Sequence, residues 1–332
     1  MSQLPSDFFP EEYLRLNPDV RAAGVDAATH YIQYGIKEGR QYRAPRYERQ
    51  EPLPGEAGFR PLPLIVISYN RGEMLRRVIA SYRQQTVPLE IVVHDNGSDD
   101  VGTLEILDEL EGSGIQVFRR ARISNADELN LVNETVSSIF ARREPSAYIV
   151  SDGDVDLDRA ESGAIAIYLA MLNMFKDIEC VGPMLRIDDI RKNYPLFGRV
   201  MNLHIRQFWH KYPEFAQVLD RDVAYIRASI DTTFAVHRST QPFRRLKSGI
   251  RVYAPFDAKH LDWYPDEQSC TGRGVVGDYG RTSSAEISHW SNGQYIKEFS
   301  QEPLAYEIFK VVEKTPFGTL EVKTRQIRDN PK

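Results

Sequence analysis

From residue 62 onward the chain alternates short, almost purely apolar runs with longer amphipathic ones. Leu64-Ile65-Val66-Ile67-Ser68, Leu89-Glu90-Ile91-Val92-Val93-His94, Ile115-Gln116-Val117-Phe118 and Tyr148-Ile149-Val150 read as strands buried on both faces. Between them, Met74 to Gln85 spaces Leu75, Val78, Ile79 and Tyr82 for a helix, and Leu104–Glu111 and Asp127–Arg142 repeat that period. Strand and helix in regular succession predict an α/β fold with a doubly wound, mostly parallel sheet. A smaller helical unit precedes it. Phe8 to Leu14 starts a helix behind Asp7, Asn17-Pro18-Asp19-Val20 turns into a second, and Ala27 to Gly35 spaces aromatic residues for a third. Gly35 and Gly39 then offer left-handed positions to close it.

This pattern divides the chain into a small helical module (1–45), an aperiodic linker rich in Pro, Arg and Glu (46–61), a main domain (62–300) with halves 62–160 and 161–300, and a C-terminal helix and tail (301–332). His30, set among tyrosines, reads as a packed, hydrogen-bonded helix residue and not as a metal ligand. The 332 residues suffice for a substantial core, and a net charge of −5 with well-mixed signs argues against nucleic acid as a partner. No apolar leader follows Met1, and the most apolar stretch, 163–175, is too short to span a bilayer. The expectation is a cytoplasmic protein without a transmembrane segment. Cys180 and Cys270 lie far apart without metal-ligand spacing, so neither a disulfide framework nor a zinc site is indicated.

Ligands of doubly wound sheets bind beyond the carboxyl ends of the strands. That rule gathers Ser68-Tyr69-Asn70-Arg71, Asp95-Asn96 and Ser151-Asp152-Gly153-Asp154 at one edge. If the backbone stays extended past Val150, Asp152 and Asp154 share a face and can hold a hard cation, with Asp156 next in the series. The plainer reading makes Asp156 and Asp158 the acidic N-terminus of a helix beginning near Ala160. An EF-hand loop fails, because Leu157 stands where Gly is needed and Gly163 where the bidentate Glu belongs. Neither a Gly-x-Gly-x-x-Gly nor a Walker pattern follows any of these strands, which disfavours dinucleotide and P-loop sites.

Val66-Ile67-Ser68-Tyr69-Asn70-Arg71, Glu90 to Ser98 and Ser151-Asp152-Gly153-Asp154, in that order, resemble the nucleotide-sugar half of a family 2-like glycosyltransferase with the GT-A fold. The resemblance covers residues 62–160. It implies a metal-dependent transfer, with inversion, of a sugar from a UDP- or GDP-linked donor to an acceptor hydroxyl, in bacterial surface polysaccharide or glycan synthesis. It implies that Tyr69 and Asp95 contact the nucleoside, with Ser68, Asn70, Arg71, Asn96, Ser151 and Gly153 around the nucleotide. Asp152 and Asp154 would be the Asp-x-Asp element binding Mn2+ or Mg2+ and the diphosphate. The sequence departs from the family at Asn125-Ala126-Asp127-Glu128-Leu129 and lacks the Glu-Asp-x-Asp acceptor motif. Residues 16–40 resemble a short repeat appended to bacterial glycosyltransferases and surface proteins, a possible device for homo-oligomers or partner docking.

The acceptor side must therefore come from other residues. Lys259-His260-Leu261-Asp262-Trp263-Tyr264-Pro265-Asp266-Glu267 mixes an imidazole, carboxylates and aromatics, a composition suited to holding a sugar and removing a hydroxyl proton. It resembles a His-Leu-x-Trp-Tyr-x-Asp element of a subset of these enzymes. Asp266 is the first choice for general base and Asp231 the second, with His260 and Asp262 also candidates. His289 is a candidate third metal ligand by the same resemblance, against a surface histidine. Arg244-Arg245-Leu246-Lys247 with Arg251 reads either as a face for a phosphate-bearing acceptor or as a solvated run. The alternative to an enzyme is a non-catalytic carbohydrate- or nucleotide-sugar-binding scaffold with the same fold.

Overall fold

The computed structural model describes residues 4–46, 58, 60–121, 131–194, 196–231, 234–239, 242–264, 306–315 and 318–327. The N-terminal module holds α1 (Pro10–Leu16), α2 (Pro18–Ala22) and α3 (Ala27–His30), the last running into a π-helical turn, Tyr31–Gly35. In the main domain, β1 (Leu62–Ser68), α4 (Gly72–Tyr82), β2 (Leu89–Asp95), α5 (Val101–Gly112), β3 (Gln116–Arg119), α6 (Val132–Phe140) and β4 (Tyr148–Asp152) realise the predicted succession. Then come β5 (Val155–Asp156), α7 (Ala164–Met174), β6 (Cys180–Pro183), α8 (Phe197–His204), β7 (Glu214–Val218), β8 (Arg221–Arg227), β9 (Phe234–His237), β10 (Gly249–Val252) and β11 (Lys259–His260). A hairpin of β12 (Tyr306–Thr315) and β13 (Gly318–Ile327) ends the description.

One nine-stranded sheet, ordered β3-β2-β1-β4-β9-β6-β10-β8-β7, organises the domain. Strands β3, β2, β1 and β4 are mutually parallel, and β6 pairs parallel with β10. Strand β9 runs antiparallel between β4 and β6. The apolar runs are long because both faces are covered. Leu64, Val66, Val93 and Ile149 enter the core shared with α4, α5 and α7, while Ile65, Val92 and Val150 pack with Val132, Val136 and Ile139 of α6 on the other side.

Three expectations change. Residues 306–327 form a hairpin and not a helix. Their β-branched residues recur with period two, so that Val311 and Val322 face each other as buried partners while Ile308 and Val312 stay exposed. The first helix begins at Pro10 behind Phe9 and not behind Asp7, whose carboxylate accepts instead from Arg43 at 2.7 Å. Gly35 sits inside the π turn and is not left-handed; a Cβ there would lie 2.5 Å from the Tyr13 hydroxyl. His30 is packed and hydrogen-bonded as expected, its Nδ1 2.9 Å from that same hydroxyl.

The module has its own apolar centre in Tyr13, Val20, Ala27 and Tyr31. It also leans on the sheet edge. Gln217 of β7 donates its backbone N–H to Pro45 at 3.0 Å, and the Arg15 guanidinium lies 4.9 Å from the Phe215 ring centre.

Candidate active site

Register brings the predicted motifs to one level. Strand β1 pairs Ser68 with Asp95 of β2 and Ile67 with Asp152 of β4, so three strand ends open at the same edge. Because β9 is antiparallel to β4 and pairs Phe234 with Ser151, β9 begins at that edge.

The loop after β1 is held by hydrogen bonds to the loop after β2. Asn70 takes a positive φ of 47° and accepts from the backbone of Asp99 and Asp100 at 2.9 and 3.1 Å, while its amide donates to Asp99 at 2.6 Å. Asp95 accepts from the backbone and hydroxyl of Ser98 at 2.9 and 2.5 Å, and Ser98 in turn accepts from the Asn70 backbone. Asn70 and Asp95 thus build the rim of the edge. Ser68 Oγ and Asn96 Oδ1 behave differently, being buried with no hydrogen-bond partner among the described residues. Buried polar atoms without partners are rare in proteins and mark places where a ligand completes the bonding.

The Asp-x-Asp stretch does not stay extended. Strand β4 ends at Asp152, the chain turns through Gly153 and Asp154, and β5 begins at Val155. Gly153 is packed so closely that a Cβ would lie 2.9 Å from the Ile67 carbonyl oxygen, which lets the chain turn there against β1. Strand periodicity therefore does not put Asp152 and Asp154 on a common face. Asp154 instead turns inward: Arg71 donates from Nη1 to Asp154 at 2.7 Å and from Nη2 to Asp262 at 2.9 Å, with all three side chains under a tenth exposed. Burial holds the Asp262 carboxyl above the usual carboxylate range, opposed by the guanidinium beside it. Asp156 is a structural acid, accepting from Arg77 of α4 at 2.8 Å and from the Asp158 backbone at 2.9 Å. No helix starts at Ala160; α7 begins at Ala164.

The second half reaches the turn through β11. His260 pairs with Val155 and Lys259 with Asp156, and Leu261 donates its N–H to the Asp154 carbonyl at 2.8 Å. His260 Nε2 lies 3.8 Å from Asp154 Oδ1, and its ring stacks at 3° on Trp263 with centres 4.6 Å apart. Asp154 Oδ1 and His260 Nδ1 are again buried and without a hydrogen-bond partner among the described residues.

Residues 64–126 match the model of glycosyl transferase family 2. The likeness to that family thus covers the strands and helices from β1 to β3, the first part of the nine-stranded sheet. No curated protein matches it. Among solved structures it is similar to the mannosyltransferase PcManGT from Pyrobaculum calidifontis in complex with GDP-Man and Mn2+, at 18% identity over 40% of this chain and 38% of that one, TM-score 0.29. TarS of S. aureus, residues 1–349, is 12% identical over 68% of this chain and 67% of that one, TM-score 0.39. Glucosyl-3-phosphoglycerate synthase from Mycobacterium tuberculosis, in complex with Mn2+, UDP and glucosyl-3-phosphoglycerate, is 16% identical over 59% of this chain and 64% of that one, TM-score 0.32. The chain thus spans well under half of the mannosyltransferase.

Of the residues singled out in the sequence, Ser68, Asp95, Asn96, Ser151, Asp154, His260 and Asp262 are buried at the shared edge, with Tyr69, Asn70, Asp152 and Gly153 at its half-buried rim. Asp231 is half-exposed, with the Arg251 guanidinium 3.8 Å from its carboxylate. Asp266 and His289 lie outside the described residues, as do 125–129 and most of the 46–61 linker. Three members of the basic run are engaged within the fold. Arg244 pairs with Glu179, Lys247 is buried against His237 at 2.8 Å, and Arg251 donates to the Ser229 carbonyl at 3.0 Å. Tyr194 was not anticipated. Its hydroxyl is buried without a hydrogen-bond partner among the described residues, and burial and the nearby Asp262 and Asp154 charges raise its pKa. Nothing in the local sequence marks it. No group of three or more His, Cys, Asp or Glu suited to a metal occurs among the described residues, and no helix among them is long and apolar enough to cross a membrane.

Proposed function

We propose that this protein transfers a sugar from a nucleoside-diphosphate donor to an acceptor hydroxyl, with inversion, in the synthesis of a surface polysaccharide or glycan. The observation that carries the reading is the meeting of three parallel strand ends with a second-half segment, His260 to Trp263, at one edge of the domain. The buried, partnerless Ser68 Oγ, Asn96 Oδ1 and Asp154 Oδ1 support a polar ligand there. Tyr69 and Asp95 would face the nucleoside and Asp152 the diphosphate.

The donor set suits a hard divalent cation. Asp152 and Asp154 supply carboxylate oxygens, and one of them, Asp154 Oδ1, has no hydrogen-bond partner among the described residues, leaving the remaining positions to phosphate and water. Bound there, Mn2+ or Mg2+ offsets the charge that develops on a departing diphosphate. Arg71 holds Asp154 and supplies a second, permanent positive charge next to it. Asp262 is the base candidate that touches this group; burial raises its proton affinity, which suits proton removal from an acceptor hydroxyl. Asp266 is the candidate four residues on, and Asp231 the candidate before β9. The protein would work in the cytoplasm, where nucleotide sugars are made.

A panel of UDP- and GDP-sugars scored for released nucleoside diphosphate, with and without chelator, tests the reading. Donor turnover that needs the cation and is lost in Asp154→Asn supports it. Saccharide binding untouched by chelator, with no turnover of any donor, would support the scaffold reading instead.

A further inference from the structure

Away from the active edge, a cavity of about 770 Å3 lies where three parts of the chain meet: α2 of the module, the turn after α8, and the β12–β13 hairpin. Arg21, His210, Lys310 and Arg325 line it together with the rings of Tyr212 and Phe309, and no carboxylate does among the described residues. Arg325 is the unusual member. It is 1% exposed, its Nη2 pairs with Asp188, and its guanidinium lies 4.5 Å from the Trp209 ring centre. Its Nε and Nη1 are nevertheless buried without a hydrogen-bond partner among the described residues, and burial depresses its pKa to about 10. A guanidinium has five N–H donors, and leaving the three on Nε and Nη1 dry is costly unless a ligand accepts from them.

We propose that this cavity is a subsite for an acidic saccharide, with the carboxylate or phosphate of the sugar accepting from Arg325 and drawn in by Arg21 and Lys310. A planar guanidinium matches either oxyanion with paired hydrogen bonds. Tyr212 and Phe309, 62% and 41% exposed, offer the flat apolar surface that a sugar ring covers. The subsite is joined to the active edge by one continuous element. His204, at the end of α8, packs edge-on against Trp263 with ring centres 4.7 Å apart, and Trp209, five residues further on, lies beneath Arg325. Residues 205–209 between them form a π-helical turn, so an acceptor chain held in the cavity is anchored on the same continuous element that packs against the His260–Trp263 segment. That last step rests on the proposed glycosyl transfer; the oxyanion site does not.

The test is calorimetry on the full chain without donor, using a glucuronate-containing oligosaccharide, a phosphodiester-linked oligosaccharide, the carboxyl-reduced neutral form of the first, and inorganic phosphate. The expected result is binding of at least one acidic oligosaccharide, about tenfold or more weaker binding of the neutral form, and a similar loss in Arg21→Glu and in Lys310→Gln. Which acidic probe binds tells carboxylate from phosphate. Arg325→Met should abolish binding; if it fails to fold, the two exposed variants still decide the matter. Equal affinity for acidic and neutral sugars, no affinity for either acidic probe, or unchanged affinity in both exposed variants would overturn the proposal. Inorganic phosphate binding as tightly as the oligosaccharides would overturn the saccharide part. Donor turnover is read separately, so its absence cannot be confused with failure of this site.

Discussion

Arg71→Met should be among the most destabilising single changes in the domain, although Arg71 lies in a loop. The guanidinium is the cation between Asp154 and Asp262, at 2.7 and 2.9 Å, and the side chains of the two acids are 8% and 1% exposed. Removing the cation that bridges them leaves two buried carboxylates without that shared partner. Breaking a buried ion pair from one side costs about 3–5 kcal/mol, which for a chain of this length is a fall in Tm of roughly 4–7 °C. Methionine keeps most of the arginine stem's volume, so little of that loss would come from packing.

The pH dependence separates charge from packing. Burial already raises the Asp262 pKa in the folded state, so the contribution of this group to stability is fully present below the unfolded value, about 3.9, and is lost as pH rises through the folded one. Without Arg71 the folded value rises further, and the deficit at neutral pH grows. Thermal melts followed by circular dichroism should show Arg71→Met far below wild type at pH 8 and recovering part of the difference at pH 5. Adding Asp262→Asn to Arg71→Met should restore stability at pH 8. A variant melting within about 1 °C of wild type at pH 8, or a deficit that does not shrink on acidification, would refute the charge argument.

Burial holds Lys247 at a pKa of about 7, below its unfolded value near 10.4, so the unfolded chain binds more protons between those limits and stability should rise with pH across that window. Lys247→Met should flatten that part of the curve in melts taken from pH 6 to 10. Gly153→Ala places a Cβ 2.9 Å from a backbone oxygen that cannot swing aside, so calorimetry should find nucleoside diphosphate affinity reduced at least about tenfold as the turn shifts.

What was legible in the sequence follows from burial. Strands β1, β2 and β4 are covered on both faces and so appear as unbroken apolar runs, and a parallel sheet places their carboxyl ends together. The hairpin of β12 and β13 was misread because Lys and Glu stand between its valines and threonines, a mixture that helices share; its identity lies in which residues meet across strands, as Val311 meets Val322. The site divides along the same line. Ser68, Asp95, Asn96 and Asp152 were readable because each sits at the end of a visible strand. The bond from Arg71 to Asp262 spans 191 residues, and no local pattern encodes a contact of that range.

The acidic turn shows how a short motif serves two ends. Read as spacing alone, Asp152-Gly153-Asp154 is a pair of cation ligands on an extended strand. In the fold, the turn at Gly153 frees Asp154 to present its carbonyl to Leu261 and its carboxylate to Arg71, and it starts β5, the two-residue strand on which β11 is built. His260 and Asp262 stand at the edge because that pairing puts them there; the first pairs directly and the second follows two residues later on the Leu261–Trp263 turn. The backbone of the acidic turn therefore positions the second-half residues, while its carboxylates lie at the shared strand edge. Substituting an aspartate tests only the second of these duties, since the carbonyl and the strand remain, whereas Gly153→Ala disturbs both at once. The comparison predicts that Asp154→Asn leaves the His260–Trp263 stack intact while Gly153→Ala alters the near-ultraviolet circular dichroism of Trp263; identical spectra for the two variants would show that the turn does not template the second half.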